Sequence, residues 1–469
     1  MKKQIVLSLG VLIFIGGCSM NPEYKKPTAP IPASWPQESG SNVTQDAPEA
    51  SAVHKLNRQE FFLDENMQKI IKLSLDNNRD LRLAILNVEK ARALFDIQRD
   101  ELFPVVNAVG AGSKQRLSSD LVSPGDPRTV EQYSVGLGIA AWEIDFFGRI
   151  RSLKEQALEQ FLATDEARRG AQIVLVSEVA RTYLTLAADM ENLKLAQSTL
   201  ETQQESYTLI QRQYEIGVTN ELDLRRAQAQ IETARGDVAR LTQMTALDRN
   251  ALNFLAGSQI PEEFLPADLA NVHPPKEIFA SLPSEALLNR PDIIAAEHRL
   301  KGAYAFIGAA RSAFFPRISL TTSIGTASDE LSGLFGSGTG TWNFAPQIAV
   351  PIFDARTWAA YRVSKTEREI AQAQYEKTIQ TAFREVADAL AVQGMIDQQV
   401  SAQQSLTNAI ADTYNLSNKR YSKGIDSYLG VLDAQRSLFA AQQGLISLRL
   451  ARLANQVRLY AVLGGGAEK

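Results

Sequence analysis

The chain carries one long unit twice. Tyr214-Glu-Ile-Gly217-Val-Thr-Asn220 matches Tyr421-Ser-Lys-Gly424-Ile-Asp-Ser427, an offset of 207 from Gly217 to Gly424. The same offset carries Arg149 onto Arg356, Ala227-Gln228 onto Ala434-Gln435 and Gly257 onto Gly464. Upstream, Phe103-Pro104 pairs with Phe315-Pro316 at an offset of 212, so the first copy holds five extra residues between its Phe-Pro and its arginine. Insertions of that kind belong in loops. Between Arg149 and Gly257 there is no net insertion against the second copy. Long packed helices impose that rule, because one inserted residue turns every later side chain by about 100°. The period is far longer than that of solenoid repeats. The chain therefore reads as one duplicated hairpin unit.

The segment from Arg151 to Tyr214 has no proline and is interrupted only by Gly170. Its apolar residues alternate spacings of three and four: Val176, Val179, Tyr183, Leu186, Met190 and Leu193, then Leu200, Tyr207 and Tyr214, with Gln197, Gln204 and Gln211 in the missing positions. A 3.5-residue repeat predicts coiled-coil packing. At 1.5 Å per residue the helix would be about 95 Å long. The copy through Phe383, Val386, Leu390, Val400, Ala411, Tyr414 and Tyr421 is looser. The last helix is cleaner, running from Leu429 and Leu432 through Arg436, Phe439, Gln443, Ile446, Leu450, Leu453 and Val457 to Tyr460 before the glycines at 464–466.

Short turns join these helices. Gly217 fits the left-handed residue just past a helix end. Asn220 fits the N-cap of the next helix, with Asp223 as a first-turn carboxylate. Gly424 with Asp426 or Ser427 repeats the arrangement. Each half is thus predicted to be a long antiparallel helical hairpin. Such heptads ordinarily make a structural coiled coil. Glutamines on the seam and Ala-rich faces point instead to helices side by side in a curved wall with one wet face.

Phe103-Pro104 and Phe315-Pro316 each end a helix, since proline disfavours helix before it. Alternating segments follow. Val135, Leu137, Ile139 and Ala141 oppose Ser134, Gly136, Gly138 and Ala140. Ile318, Leu320, Thr322 and Ile324 oppose Ser319, Thr321, Ser323 and Gly325. Phe344, Ile348, Val350 and Ile352 oppose Asn343, Ala345, Gln347 and Ala349, and residues 105–112 make a weaker fourth strand. About ten residues span a membrane as a tilted strand, with lipid-facing and wet faces alternating. The links 114–131 and 326–341 read as exposed loops. Four strands cannot close a barrel, and open edges are not tolerated in lipid, so the strands must be shared among subunits. Two copies would give about eight strands and a filled interior, three about twelve and a lumen. The ordinary alternative is a soluble sheet with one buried face.

Cys18 is the one cysteine, so no disulfide framework exists. Before it stand Lys2 and Lys3, an apolar run from Ile5 to Ile15, and Gly16-Gly17. That is the layout of a secretory signal. Its small-small-Cys ending resembles a bacterial lipobox; the ordinary alternative is a plain signal peptide with an incidental cysteine. Processing would leave Cys18 as the first residue, diacylated and N-acylated, and Ser19 after it would favour the outer membrane. After the signal no apolar run reaches the roughly 20 residues of a membrane helix. The net charge of −4 becomes −6 without Lys2 and Lys3, which argues against nucleic-acid binding. His54, His273 and His298 are the only histidines and lack metal spacing. No phosphate loop, catalytic constellation or cofactor site is evident, so an enzyme is not expected.

At this point the chain resembles the outer membrane factor family of TolC-like channels, and most closely the OprM-like lipidated efflux channels. The resemblance rests on the lipobox, Asn21-Pro22-Glu23-Tyr24, the run from Trp142 to Arg149 (WEIDFFGR), Asn289-Arg290-Pro291-Asp292, Pro351-Ile352-Phe353 and the run from Leu432 to Leu438 (LDAQRSL). It covers nearly everything from Cys18 to Gly466. It implies a homotrimer with a twelve-strand β-barrel in the outer membrane, continuous with a twelve-helix periplasmic α-barrel. The expected layout is a signal at 1–17, a lipidated N-terminal segment and collar at 18–65, and a first repeat at 66–257. That repeat holds a helix, strands at 103–113 and 132–145, and a hairpin at 150–256. A collar or linker follows at 258–288. The second repeat, at 289–466, has strands at 316–326 and 342–353 and a hairpin at 356–463, before a tail at 467–469.

The resemblance also implies passive conduction, driven by an inner-membrane RND-type pump through a periplasmic adaptor (membrane fusion) protein. It places a periplasmic gate on Leu429, Asp433 and Arg436, which share one helix face at i, i+4 and i+7. Leu429 would constrict, Asp433 would form a ring of like charges, and Arg436 would supply a salt bridge. The ordinary alternative is a surface i,i+3 pair worth about 0.2–0.5 kcal/mol. The repeat puts Leu222 and Arg226 at the equivalent positions, which raises a cross-pair of Asp433 with Arg226. Gly217, Val218, Thr219, Gly424, Ile425 and Asp426 are the expected adaptor contacts, with plain turn chemistry as the alternative. Two rivals remain: a type I secretion channel with the same fold, and a lipid-anchored periplasmic coiled-coil scaffold without a pore.

Overall fold

The structure, a computed structural model, describes residues 19–32, Trp35, 57–277 and 284–465. Cys18, Gly466 and the tail lie outside the described residues. The elements run α1 (Glu65–Asn77), α2 (Arg79–Asp100), β1 (Val106–Arg116), β2 (Thr129–Glu143), α3 (Arg149–Glu215), α4 (Glu221–Ala256), α5 (Pro291–Ser312), β3 (Arg317–Ser328), β4 (Gly340–Ala349), α6 (Ala355–Ser422) and α7 (Tyr428–Val462). The duplication is a structural one. The long helices α3 and α6 have 67 and 68 residues, and their return helices α4 and α7 have 36 and 35. At 1.5 Å per residue the long helices are about 100 Å.

The chain divides into two compact units. One contains Asn87–Thr164 and Ala295–Tyr375 together with the N-terminal residues through Thr28. The other contains Ala29–Leu86, Asp165–Ile294 and Glu376–Lys469.

In the first unit the four strands form one antiparallel sheet in chain order. The strand bounds differ from expectation. The first strand is Val106–Arg116 rather than 103–113, because the chain leaves α2 through a turn at 101–103. Strands β1 and β2 pair out to Arg116 and Thr129, so the loop begins later than expected, and Lys114 and Glu131 form a cross-strand ion pair. The fourth strand stops at Ala349, leaving Ile352 and Phe353 exposed.

The register sorts the side chains, since directly paired residues share a face. Leu137 pairs with Ile324 and Ile324 with Trp342; Ile139 pairs with Thr322 and Thr322 with Phe344. Behind them Asn107, Ser134, Ser323 and Asn343 face the other way. A bulge breaks the pairing between Ile139 and Trp142, with Ala141 at φ 50°. The apolar face therefore continues with Trp142 against Leu320, not with Ala141. One extra residue in a strand flips the alternation. At the centre Gly136 and Gly325 lie opposite each other, and a Cβ on Gly325 would stand 2.2 Å from the Val135 carbonyl oxygen.

The second unit holds the helical core. Val176, Val179, Tyr183 and Leu186 are buried as the heptad reading expects. Beyond residue 190 the stripe moves. Gln197, Gln204 and Gln211 are exposed, and Ala196, Gln203 and Ile210, one residue earlier in each heptad, are buried. Ala196, Gln203 and Ile210 keep the seven-residue spacing, so the buried stripe is the adjacent one of the same heptad, selected by the helices packed against it.

Candidate functional site

Two places carry the features that a conduit needs: the sheet with its junction to the helices, and the tips of the two hairpins.

The sheet exposes its apolar face. Trp342 is 77% exposed, and Phe344, Ile348, Ile324 and Leu137 are also open. A contiguous apolar surface of that kind on a water-soluble domain would be a liability. The strand-to-helix junction is built by the residues 143–149. Glu143 accepts from Arg149 Nε and Nη2 at 2.8 and 2.9 Å and pairs with Arg317 at 2.9 Å. Asp145 accepts from the backbone N–H groups of Ile150 (3.1 Å) and Arg151 (2.9 Å), satisfying first-turn donors of α3. In the second copy Asp354 does the same for Arg356, accepting from its N–H at 2.9 Å and its Nε at 3.1 Å. Arg290 of the motif at 289–292 is 9% exposed and donates to the Val462 carbonyl at 2.6 Å and to Asp292 and Glu385 at 2.7 and 2.9 Å.

At the tips the four long helices share a core of Ile210, Ala227, Tyr428, Val431 and Leu432, with Tyr207, Leu224, Tyr414 and Tyr421 packed on it. Burial pushes the Tyr428 phenol up to about 12, and Tyr421 Oη donates to Gln213 Oε1 across the two hairpins at 3.0 Å. Both turns are Schellman motifs. Val218 N–H bonds Gln213 O at 2.8 Å and Gly217 N–H bonds Tyr214 O at 3.0 Å; Ile425 and Gly424 bond Arg420 and Tyr421 at 3.0 and 2.8 Å. Their glycines stand at φ 75° and 72°. Gly217, Val218, Gly424, Ile425 and Asp426 are exposed, and Thr219 is half-buried with its hydroxyl donating to Asp223 at 3.3 Å.

The second turn does not repeat the cap of the first. Asn220 accepts from the Asp223 N–H at 2.9 Å, but Ser427 makes no side-chain cap bond. Asp426 is held instead by Arg420, whose Nη2 donates to it at 3.1 Å. That hydrogen bond keeps the Asp426 carboxyl below the usual carboxylate range.

Leu429, Asp433 and Arg436 are exposed together, while Tyr428, Val431, Leu432 and Gln435 turn inward. No pair of Asp433 with Arg226 forms in the chain. Arg226 lies 3.5 Å from Asp223, its neighbour one turn earlier on α4, which supplies the nearer acid. Arg436 makes no ion pair among the described residues; its Nε donates to Gln230 Oε1 at 3.1 Å. The Asp433 carboxylate has no hydrogen-bond or ion-pair partner among the described residues, and Leu222 is exposed.

A family model described as outer membrane efflux protein matches residues 70–258 and 282–465, once over each copy of the repeat. The chain belongs to that family. The antibiotic efflux pump outer membrane protein ArpC and the toluene efflux pump outer membrane protein TtgC, both of Pseudomonas putida, are 47% identical over 463 residues, which is 98% of this chain and 95% of each relative. The open-state MtrE outer membrane channel of Neisseria gonorrhoeae superposes with a TM-score of 0.85 at 38% identity, over 96% of this chain and 99% of that one. The protein is an outer membrane efflux channel, and the exposed apolar sheet face is its lipid-facing wall. Among the described residues no helix is long and apolar enough to cross a membrane and no His, Cys, Asp or Glu group could hold a metal.

Sequence reasoning missed Gln203. The heptad pattern points to Gln204 instead, and only the packing partner of α3 selects the neighbouring stripe. The bulge at Ala141 carried no signal beyond two consecutive alanines.

Proposed function

We propose that the protein works as a homotrimer whose twelve strands close a barrel in the outer membrane and whose twelve long helices wall a periplasmic duct. The observation that carries this reading is the four-stranded sheet with an apolar exposed face and edges at β1 and β4 that pair with no other described strand. In lipid such edges must be paired, and three copies do so while leaving a lumen. The duct conducts passively and performs no catalysis. Its cargo is drugs and other small molecules; the names of ArpC and TtgC give antibiotics and toluene for those relatives. An RND-type pump in the inner membrane delivers the cargo through a periplasmic adaptor that docks on the turns at Gly217–Thr219 and Gly424–Asp426. The exposed face of Leu429, Asp433 and Arg436 closes the periplasmic end, with Asp433 from each copy meeting as like charges.

Lipid on Cys18 anchors the chain to the outer membrane. Support comes from the residues just after it. Ser152 Oγ donates to Asn21 Oδ1 at 2.7 Å, Asn21 Nδ2 donates to Glu155 at 2.5 Å, and Arg311 donates to the Met20 carbonyl at 3.3 Å. These partners lie at the start of α3 and the end of α5, where the helices meet the strands.

Planar-bilayer conductance of the purified lipidated protein, with crosslinking to count subunits, tests the reading. Discrete channels from a trimer are expected, and Asp433→Ala should raise open probability. A protein that fails to insert would overturn the channel; unchanged conductance in Asp433→Ala would remove that residue from the gate.

A further inference from the structure

Between α3, α4 and α7, near the hairpin tips, lies a recess with about 420 Å³ of empty space, part of it open to solvent. Gln203 reaches it from α3, Gln230 and Asp237 from α4, and Gln435, Arg436 and Phe439 from α7. Two of these groups have unused hydrogen-bonding capacity. Gln203 is 4% exposed, and its buried Oε1 has no hydrogen-bond partner among the described residues. A buried acceptor left empty is unfavourable, so a ligand donor is favoured there. Arg436 spends only Nε, on Gln230; its Nη1 and Nη2 make no bond among the described residues. The acid in the recess is already neutralised, since Asp237 pairs with Arg240 at 3.2 Å. Phe439 supplies a ring beside these polar groups.

We propose that this recess is a binding site for small organic anions that carry an N–H donor next to the carboxylate and an apolar ring. The carboxylate accepts two parallel bonds from the Arg436 guanidinium, a geometry that arginine favours. The N–H donates to Gln203 Oε1, and the ring packs on Phe439. The proposal deepens the efflux reading, because it gives the wall of the duct a cargo subsite with a stated chemistry. The second copy of the repeat has no counterpart. Position 203 corresponds to Ile410, and position 230 to Ser437, at the offset of 207.

The test uses hippurate, an aryl amide carboxylate, titrated into the full-length trimer in detergent by calorimetry, with bilayer conductance measured on the same preparation. Saturable hippurate binding is expected. Arg436→Gln should weaken it at least tenfold, Gln203→Leu several-fold, and the neutral amide of hippurate should bind at least tenfold less tightly than hippurate itself. If Gln203→Leu does not assemble, Phe439→Ala probes the same recess and should also weaken binding. Absent binding to the native trimer, or equal affinity in Arg436→Gln, would overturn the site. A trimer that binds hippurate but fails to insert into bilayers would instead sink the channel reading and leave the site standing.

Discussion

The turns at Gly217–Asn220 and Gly424–Ser427 share a backbone and differ in how they are held. Both end their long helix with the same pair of Schellman bonds around a glycine at positive φ. Then they diverge. The first turn caps the returning helix with Asn220, and Asp223 is shared between Thr219 and Arg226. The second leaves Ser427 idle and clasps Asp426 with Arg420 from the helix before it. The same split runs along the helices. Arg226 in the first copy has a local acid, whereas its counterpart Asp433 is an exposed charge without a partner among the described residues. Duplication preserved the parts that set chain direction and freed the side chains that set charge, so one hairpin carries a locally paired charge and the other an open one.

The comparison can be broken or sharpened by substitution. The largest effect should be common to both turns. Gly217→Ala and Gly424→Ala place a Cβ at positive φ, costing about 1–2 kcal/mol. Neither Cβ would meet an atom within 4 Å, so the cost is conformational and equal in the two. Hydrogen exchange at the Val218 and Ile425 amides should quicken about five- to thirtyfold; unequal losses would mean that the turns are not equivalent.

Next come the caps. Asn220→Ala should cost about 1 kcal/mol at the start of α4, and Ser427→Ala close to nothing at the start of α7. Exchange of the Asp223 and Gly430 amides reads the difference, and a comparable loss at both would restore the symmetry that the structure denies.

The helices offer a titration. Burial, followed by the neighbouring Asp189 carboxyl, pushes the Asp248 carboxyl up to about 6. Its counterpart at the offset of 207 is Asn455, which donates to the Ala389 carbonyl at 3.0 Å. Because the folded pKa lies above the ordinary one, the folded state holds the proton more tightly. Stability from this group is present at low pH and is lost as pH rises towards and through 6. Asp248→Asn, which copies the second hairpin, should therefore raise thermal stability at pH 7 by about 1 kcal/mol, a figure discounted for solvent around a half-buried group. At pH 4 it should change nothing. A gain that does not depend on pH would disprove the assignment.

The smallest effect is expected from Asp426→Asn. The clasp is fully exposed, so the turn should loosen slightly, and more at low salt than at high. With the carboxyl held below its usual range, the native clasp persists above the ordinary carboxylate pKa and is lost as pH falls through the lowered value. Exchange at Ile425, measured against salt, checks this.

The sequence by itself determined the duplication, the helical hairpins, the positions of both glycine turns and the alternating strands, because each rests on short-range rules. Positive φ demands glycine, a proline ends a helix, and a pleated strand repeats every two residues. What the tertiary structure decided was every point where a second element chose between near-equal options. The seam of α3 moved from Gln204 to Gln203 because a packed partner fixes which stripe is buried. The bulge at Ala141 moved the lipid face onto Trp142 because β3 sets the register. Asp426 left the cap for Arg420, and Arg226 took Asp223 rather than Asp433, because a charged side chain binds the partner nearest in space. Local chemistry writes the elements; only packing fixes which neighbour each side chain meets.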